Sequence, residues 1–522
     1  MKWRLALGCL PAALLLAVAC SRPVPTQAEA APDAPAARPQ AAKQAAGPDW
    51  PMFGGTPRRN MVDLAAKGLP ATWSVKKGKE VNVKWVARLG GHAYGGPVVA
   101  GGKVFDGTNN HHPRDPKLTG DKGVLMCFNA ADGKFLWQAV HDKLPDPGLN
   151  DYAEQGVIST PAVDGDRVYY VSNRAEVVCA DVEGDPATGK AKILWTYDMI
   201  GELKVFPCQA SACSPLVVGD LVFVVTGNGV DAQTGKLPAP DAPSFLAVHK
   251  KTGKLAWKSS LPGKNVMRGQ WSNPAAAEVN GKTHVVFPGG DGWLYGLEAK
   301  TGELLWKFDL NPKKAKPYKF TAPDSERCFP VATPVVYDNK VYIGVGQEPD
   351  DGPGVGHLWC IDITKEPKNK DKDLSPVGDN FDPKAPVNKD SGLVWHYGGP
   401  LVPKPADAER DYVFGRTMST VAVHDGLVYA PELAGFLHCL DAKTGQKVWE
   451  FDMKDNTWCS PLVADGRLFV GTDGDLLIFP AGKEVKEPAK INMGASIKVP
   501  PVIVSGVIYI NTGANLYAIA PK

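Results

Sequence analysis

Residues 420–451 read TVAVHDGLVYAPELAGFLHCLDAKTGQKVWEF. Apolar and β-branched runs at Thr420–His424, Leu427–Ala430, Phe436–Leu440 and Lys447–Phe451 are separated by Asp425-Gly426, by Glu432–Gly435 and by Lys443-Thr444-Gly445. Asp-Gly and Thr-Gly supply the positive backbone angle that tight hairpins need, so the stretch predicts four short antiparallel strands in succession. Four such strands are one propeller blade.

Working outward, the same unit recurs. Its openings are Gly96-Pro97, Thr160-Pro161, Ser214-Pro215, Asn273-Pro274, Thr333-Pro334, Thr420-Val421, Ser460-Pro461 and Pro500-Pro501, the last three starts being 40 residues apart. A strand-rich repeat of this length means one array and not several unrelated domains. The count predicts an all-β, eight-bladed β-propeller. The eighth unit has only three strands of its own, and Val83–Ala87 is the expected fourth, closing the ring and hiding both sheet edges. Such a closed ring reads as a monomer. Seven blades is the alternative, because the seventh unit lacks the tryptophan of the others. Glu366–Asp390 and Pro400–Asp411 interrupt the period and read as solvated loops.

The hairpin between third and fourth strands carries a sharper pattern: a small residue, five residues, glycine, three residues, tryptophan. It runs Cys127…Gly133…Trp137, Ala247…Gly253…Trp257, Gly296…Gly302…Trp306 and Cys439…Gly445…Trp449, with looser versions ending at Trp195 and Trp395. A tryptophan at a fixed blade position can lie flat on the next blade, and Cys127, Cys179, Cys360 and Cys439 read as small buried hydrophobes. This pattern, with the opening Asp49-Trp50-Pro51-Met52-Phe53-Gly54-Gly55, resembles the tryptophan-docking motif of the pyrroloquinoline quinone (PQQ) propeller family. That family includes quinoprotein alcohol dehydrogenases and BamB-like assembly lipoproteins, and the similarity covers nearly all of residues 49–522.

The ends and the composition set the address. Lys2 and Arg4 precede an apolar run, Leu5–Ala19, too short to span a bilayer and followed by Cys20. Residues 1–20 therefore resemble a lipoprotein signal peptide with Cys20 as the lipidated residue, ordinary cleavage being the alternative. Ser21 is not the aspartate that favours inner-membrane retention in such lipoproteins, so the expectation is a periplasm-facing protein on the outer membrane. Residues 21–48, rich in Ala and Pro, read as a tether, and 49–522 as the propeller. A net charge of +2 with 22% charged residues gives no nucleic-acid-binding surface. No Cys-x-x-Cys pair occurs, which removes the zinc and c-type haem signatures.

In a propeller the loops entering the first strands rim one mouth of the axial channel. Those loops place Glu154, Arg268, Trp271, Arg327, Arg416, Asp455, Trp458 and Lys498 at the mouth. Four cations against two carboxylates attract an anion, guanidinium groups grip carboxylates, and indoles offer stacking faces. PQQ, a planar tricarboxylate, matches that chemistry; no metal site is read from the residues themselves. What the resemblance implies for dehydrogenase members is PQQ stacked between a tryptophan and a ring of adjacent cysteines, a calcium ion held by a carboxylate and an amide, and an aspartate base. The chain has no adjacent cysteine pair, and Glu154 and Asp455 sit on blades two and seven, far apart for one metal and one substrate. The preferred expectation is a binding or scaffold propeller taking a protein partner or a small anionic ligand at its axial face. The alternatives are a PQQ-dependent dehydrogenase, with calcium, acting on an alcohol or sugar, and BamB-like assembly of outer-membrane proteins.

Overall fold

The computed structural model describes residues 49–145, 152–209, 212–320, 325–347, 354–376, 386–406, 408 and 410–521; Cys20 and the signal and tether segments lie outside the described residues. Eight sheets follow one another along the chain, each ordered from an inner to an outer strand and antiparallel but for Val62–Asp63, which pairs parallel with Leu462–Ala464 at the inner edge of blade 7. The inner strands are Val98–Ala100, Ala162–Asp164, Leu216–Val218, Ala275–Val279, Val335–Tyr337, Ala422–His424, Leu462–Ala464 and Val502–Val504. The inner strands of blades 1 and 2, 2 and 3, 4 and 5, and 6 and 7 touch, and that of blade 8 touches that of blade 1, so the ring is closed.

Closure uses the expected strand. Val83–Arg88 pairs antiparallel with Asn515–Ile519 at the outer edge of blade 8, with Trp85 opposite Ala518. The molecule is an eight-bladed β-propeller, and the seven-bladed alternative falls.

The tryptophan pattern has two structural meanings. Within a blade, the small residue lies directly across the strand pair from the indole: Cys127 from Trp137, Cys179 from Trp195, Ala247 from Trp257, Cys360 from Trp395 and Cys439 from Trp449. Between blades, the indole covers the turn glycine of its successor. A Cβ on Gly133, Gly253, Gly302 or Gly445 would come within 2.5–2.7 Å of Trp85, Trp195, Trp257 or Trp395 respectively. Each of these indoles also donates to a carbonyl of that next turn, as Trp85 does to Ala130 (3.0 Å) and Trp257 to Ala299 (2.8 Å). Trp306 departs from the rule and donates instead to His284 of its own blade (3.1 Å). The next turn is missing there because the long insertion replaces it.

That insertion corrects the solvated-loop expectation. Lys307 exchanges backbone hydrogen bonds with Lys372 and Leu374, so part of the insertion adds to the outer edge of blade 4, with Leu374 and Ser375 buried. Residues 377–385 lie outside the described residues. The second long connection likewise ends in structure: Tyr412–Phe414 pairs with the end of Leu393–Pro400 as a fifth strand of blade 5.

The residues before the inner-strand prolines build a second ring. The Gly96 N–H donates to Thr160 Oγ1, Thr160 to Ser214 Oγ, Ser214 to Asn273 Oδ1, Asn273 Nδ2 to Thr333 Oγ1, Thr333 to Thr420 Oγ1 and Thr420 to Ser460 Oγ. The circuit stops at blade 8 for a chemical reason: Pro500 has no N–H to donate, and Gly96 has no side chain to accept.

One level further along the inner strands, the channel is filled by the chain's own Trp50–Asp63. Val99 exchanges hydrogen bonds with Trp50, and the N–H groups of Val163, Ala276, Val336 and Val463 donate to the carbonyls of Pro51, Pro57, Arg58 and Met61. The Val423 N–H donates to Asn60 Oδ1 (2.9 Å). Every one of these positions is three residues after the ring residue of its blade. Arg59, fully buried, serves blades 3 and 4 by donating to the carbonyls of Ser214, Pro215 and Pro274. Inner-edge N–H groups that a bare channel would leave unpaired are thereby satisfied.

Candidate functional site: the axial mouth

Ring and plug close one side of the axial channel, so the loops before the ring residues form a floored mouth. Burial alternates sharply there. The residue two before each ring position is accessible, while its described neighbours one and three before are buried. The accessible set is aromatic at Tyr94, Trp271 and Trp458, aliphatic at Ile158, Ala212, Val331 and Met418, and cationic at Lys498 alone. The Lys498 ammonium lies 5.1 Å from the centre of the Tyr94 ring across the seam of blades 8 and 1, within cation–π reach.

Trp271 and Trp458, picked from sequence, thus belong to the floor with Lys498. The Trp271 indole is fixed: its Nε1 donates to the Cys208 carbonyl (2.9 Å), its edge meets Phe329, and Gly269 leaves the space it occupies. Trp458 is 37% exposed, a large apolar face left open to water.

The other five candidates stand four to six residues before the ring and are less alike than the sequence suggested. Arg327 is held bidentately by Asp309 (2.8 and 3.3 Å), a buried carboxylate that was not singled out from sequence. Arg268 is buried under Phe320, its guanidinium 5.4 Å from that ring centre. Asp455 accepts from the N–H groups of Asn456 and Gly474, so it shapes a turn. Glu154 is exposed, 3.9 Å from His111, on a backbone at φ 60° that Asn109 and Asp121 hold from either side. Arg416 is half-exposed at the rim. Of the four cations that sequence counted, Arg268 is buried, Arg327 and Arg416 are partly exposed, Arg327 being held by Asp309, and Lys498 is exposed.

The four mouth cysteines, Cys208, Cys213, Cys328 and Cys459, are buried and are not joined to one another by disulfides. Burial pushes Cys213 and Cys459 up to about 12, so both remain protonated at neutral pH. Among the described residues no cluster of three His, Cys, Asp or Glu side chains is placed to hold a metal ion, and no helix is long and apolar enough to cross a membrane. A planar carboxylated ring fits the indole faces and Lys498. The calcium that accompanies it in dehydrogenases does not fit, since Asp455 is committed to backbone N–H groups and Glu154 stands beside His111 on another blade.

Comparison with known proteins places this architecture. The chain is 23% identical over 481 aligned positions to a quinoprotein ethanol dehydrogenase from Pseudomonas putida, covering 74% of each. The quinohemoprotein alcohol dehydrogenase of Comamonas testosteroni superposes with a TM-score of 0.57 at 15% identity, covering 92% of this chain and 82% of that one. BamB from Moraxella catarrhalis superposes with a TM-score of 0.50 at 14% identity, covering 84% and 96%. These solved structures share the fold. A family model described as outer membrane protein assembly factor BamB matches residues 121–378 and 386–487, so the chain belongs to that PQQ-like propeller family.

Proposed function

We propose that this protein is a cell-envelope binding propeller that works through its axial mouth and takes a ligand or partner group with a flat apolar body and a negative charge. The observation that carries this reading is the floor: seven uncharged side chains, three of them aromatic, each two residues before a member of the hydrogen-bonded ring, and one lysine, all accessible. Aromatic faces bind flat apolar groups, and the lone ammonium orients an anion. The names of the relatives and of the matched family agree with an envelope address, and Cys20 is the proposed lipid anchor. Labelled palmitate incorporated by the full chain and absent from Cys20→Ala tests the anchor.

PQQ is the first probe of the mouth. Titrating the purified protein with PQQ, with and without calcium, should quench tryptophan fluorescence. The quenching should weaken about tenfold in Trp458→Ala or Lys498→Ala, in line with one lost stacking or charge contact of ~1–1.5 kcal/mol. Calcium should not tighten it, and no dye reduction with alcohols or aldose sugars should follow. The second reading, a PQQ-dependent dehydrogenase, is favoured by the names of the curated relatives. Calcium-dependent turnover that disappears in Glu154→Gln would replace the first reading with the second. BamB-like assembly predicts co-purification with an outer-membrane barrel complex in mild detergent.

A further inference from the structure

Blade 6 departs from its siblings at the turn between second and third strands. The residue whose N–H closes that turn is Ser172 in blade 2, Thr472 in blade 7 and Thr512 in blade 8, but Glu432 in blade 6. Its side chain is fully buried. Oε1 is saturated, accepting from Arg410 Nη1 (2.8 Å) and lying 2.5 Å from His438 Nε2. Behind it Arg410 and His438 both reach Glu450, at 3.1 and 3.2 Å, and the Tyr397 hydroxyl lies 3.1 Å from His438 Nδ1. Among the described residues Oε2 has no hydrogen-bond partner, and Glu432 lines a cavity of about 100 Å³ together with Tyr412, Gly415, Arg416 and Asn456.

A buried carboxylate oxygen without a donor is costly, so the chain holds an unanswered acceptor beside this space. Gly415 makes the space: a Cβ there would lie 2.4 Å from Oε2 and 2.9 Å from the Tyr412 ring. The carboxylates of Glu432 and Glu450 are matched in number by Arg410, which reaches both, and Lys447, which pairs with Glu450. What Oε2 lacks is a hydrogen-bond donor and not a charge. The cavity's volume is enough for several waters or for one small organic molecule.

We propose that this cavity is a binding site for a small neutral hydroxyl compound of glycol size, free or as the end of a larger polyol, which donates its O–H to Glu432 Oε2. The site is independent of the mouth floor and stands whatever that floor binds.

Saturation-transfer NMR on the purified full chain tests it, with ethylene glycol as probe and 1,2-dimethoxyethane as the matched compound without donors. The glycol should show transfer at least tenfold above the ether. Gly415→Ala, which fills the cavity, should abolish it, and Asn456→Ala, on the accessible rim, should weaken it severalfold with the fold intact. Equal transfer from glycol and ether would overturn the proposal. So would transfer undiminished in both variants, or a crystal grown in glycol that shows only water at Glu432 Oε2.

Discussion

Asp106 shows how a single carboxyl can work against its own fold. It is fully buried between blades 1 and 8, where Asn511 Nδ2 donates to Oδ2 (2.9 Å) and Oδ1 has no hydrogen-bond partner among the described residues. Burial pushes its pKa well above the ordinary 3.8, outweighing the hydrogen bonds from Asn511 and Gly107. A folded-state value above the unfolded one means the neutral acid favours folding at acid pH. That contribution is fully present below about pH 3.8 and is lost as pH rises through the folded value. Asp106→Asn keeps the acceptor for Asn511 and removes the ionisation. It should leave stability near pH 4 almost unchanged and raise it by about 1–3 kcal/mol at pH 8, read by urea unfolding at both pH values. Arg59 is the opposite case, a buried cation whose donors answer carbonyls of two blades and of Phe53. Arg59→Ala should cost about 2–4 kcal/mol in the same assay, because it strands several acceptors at once. Neither residue was legible in the sequence. Asp106 sits in an ordinary strand pattern, and Arg59 is one of two adjacent arginines in a segment that reads as a lead-in.

At the scale of the element, the hairpins were the most readable part of the chain, because turn chemistry and alternation are local. The tryptophan-docking reading held for the same reason, although which glycine receives which indole depends on the neighbouring blade. The two effects of that glycine can be separated. Gly133 has φ 71° and faces Trp85 at 2.6 Å, whereas Gly101 has φ 57° and open space around it. Gly101→Ala should cost about 1 kcal/mol from the backbone alone, and Gly133→Ala about 2–4 kcal/mol, the excess being displacement of the indole. Equal losses in thermal unfolding would show that the indole does not dock there. The threonine, serine and asparagine ring was visible as a recurring residue before proline, but its meaning needed the blades set side by side. The mouth residues fall between these cases. Sequence puts them in the loops that enter the first strands, yet that Arg327 is held by a carboxylate depends on Asp309 in another element.

For the whole molecule, closure and plugging set what the protein can present to a partner. Trp50–Asp63 bonds to the inner edges of blades 1 to 7, while Val83–Arg88 completes blade 8. A chain beginning at Asp49 should therefore unfold in one cooperative transition. One beginning at Leu64 keeps the closing strand but leaves the channel's N–H groups unpaired, and should melt earlier and more broadly by circular dichroism. With the plug on one side and the ring as floor, the mouth is the face left to bind. Site-specific photocrosslinking in the cell envelope asks this most directly, with a benzophenone amino acid at Trp458 or Lys498 on the floor, or at Asp166 on the opposite turns of blade 2. The account predicts discrete adducts from both floor positions and none from Asp166. Adducts from Asp166 with none from the floor would contradict it.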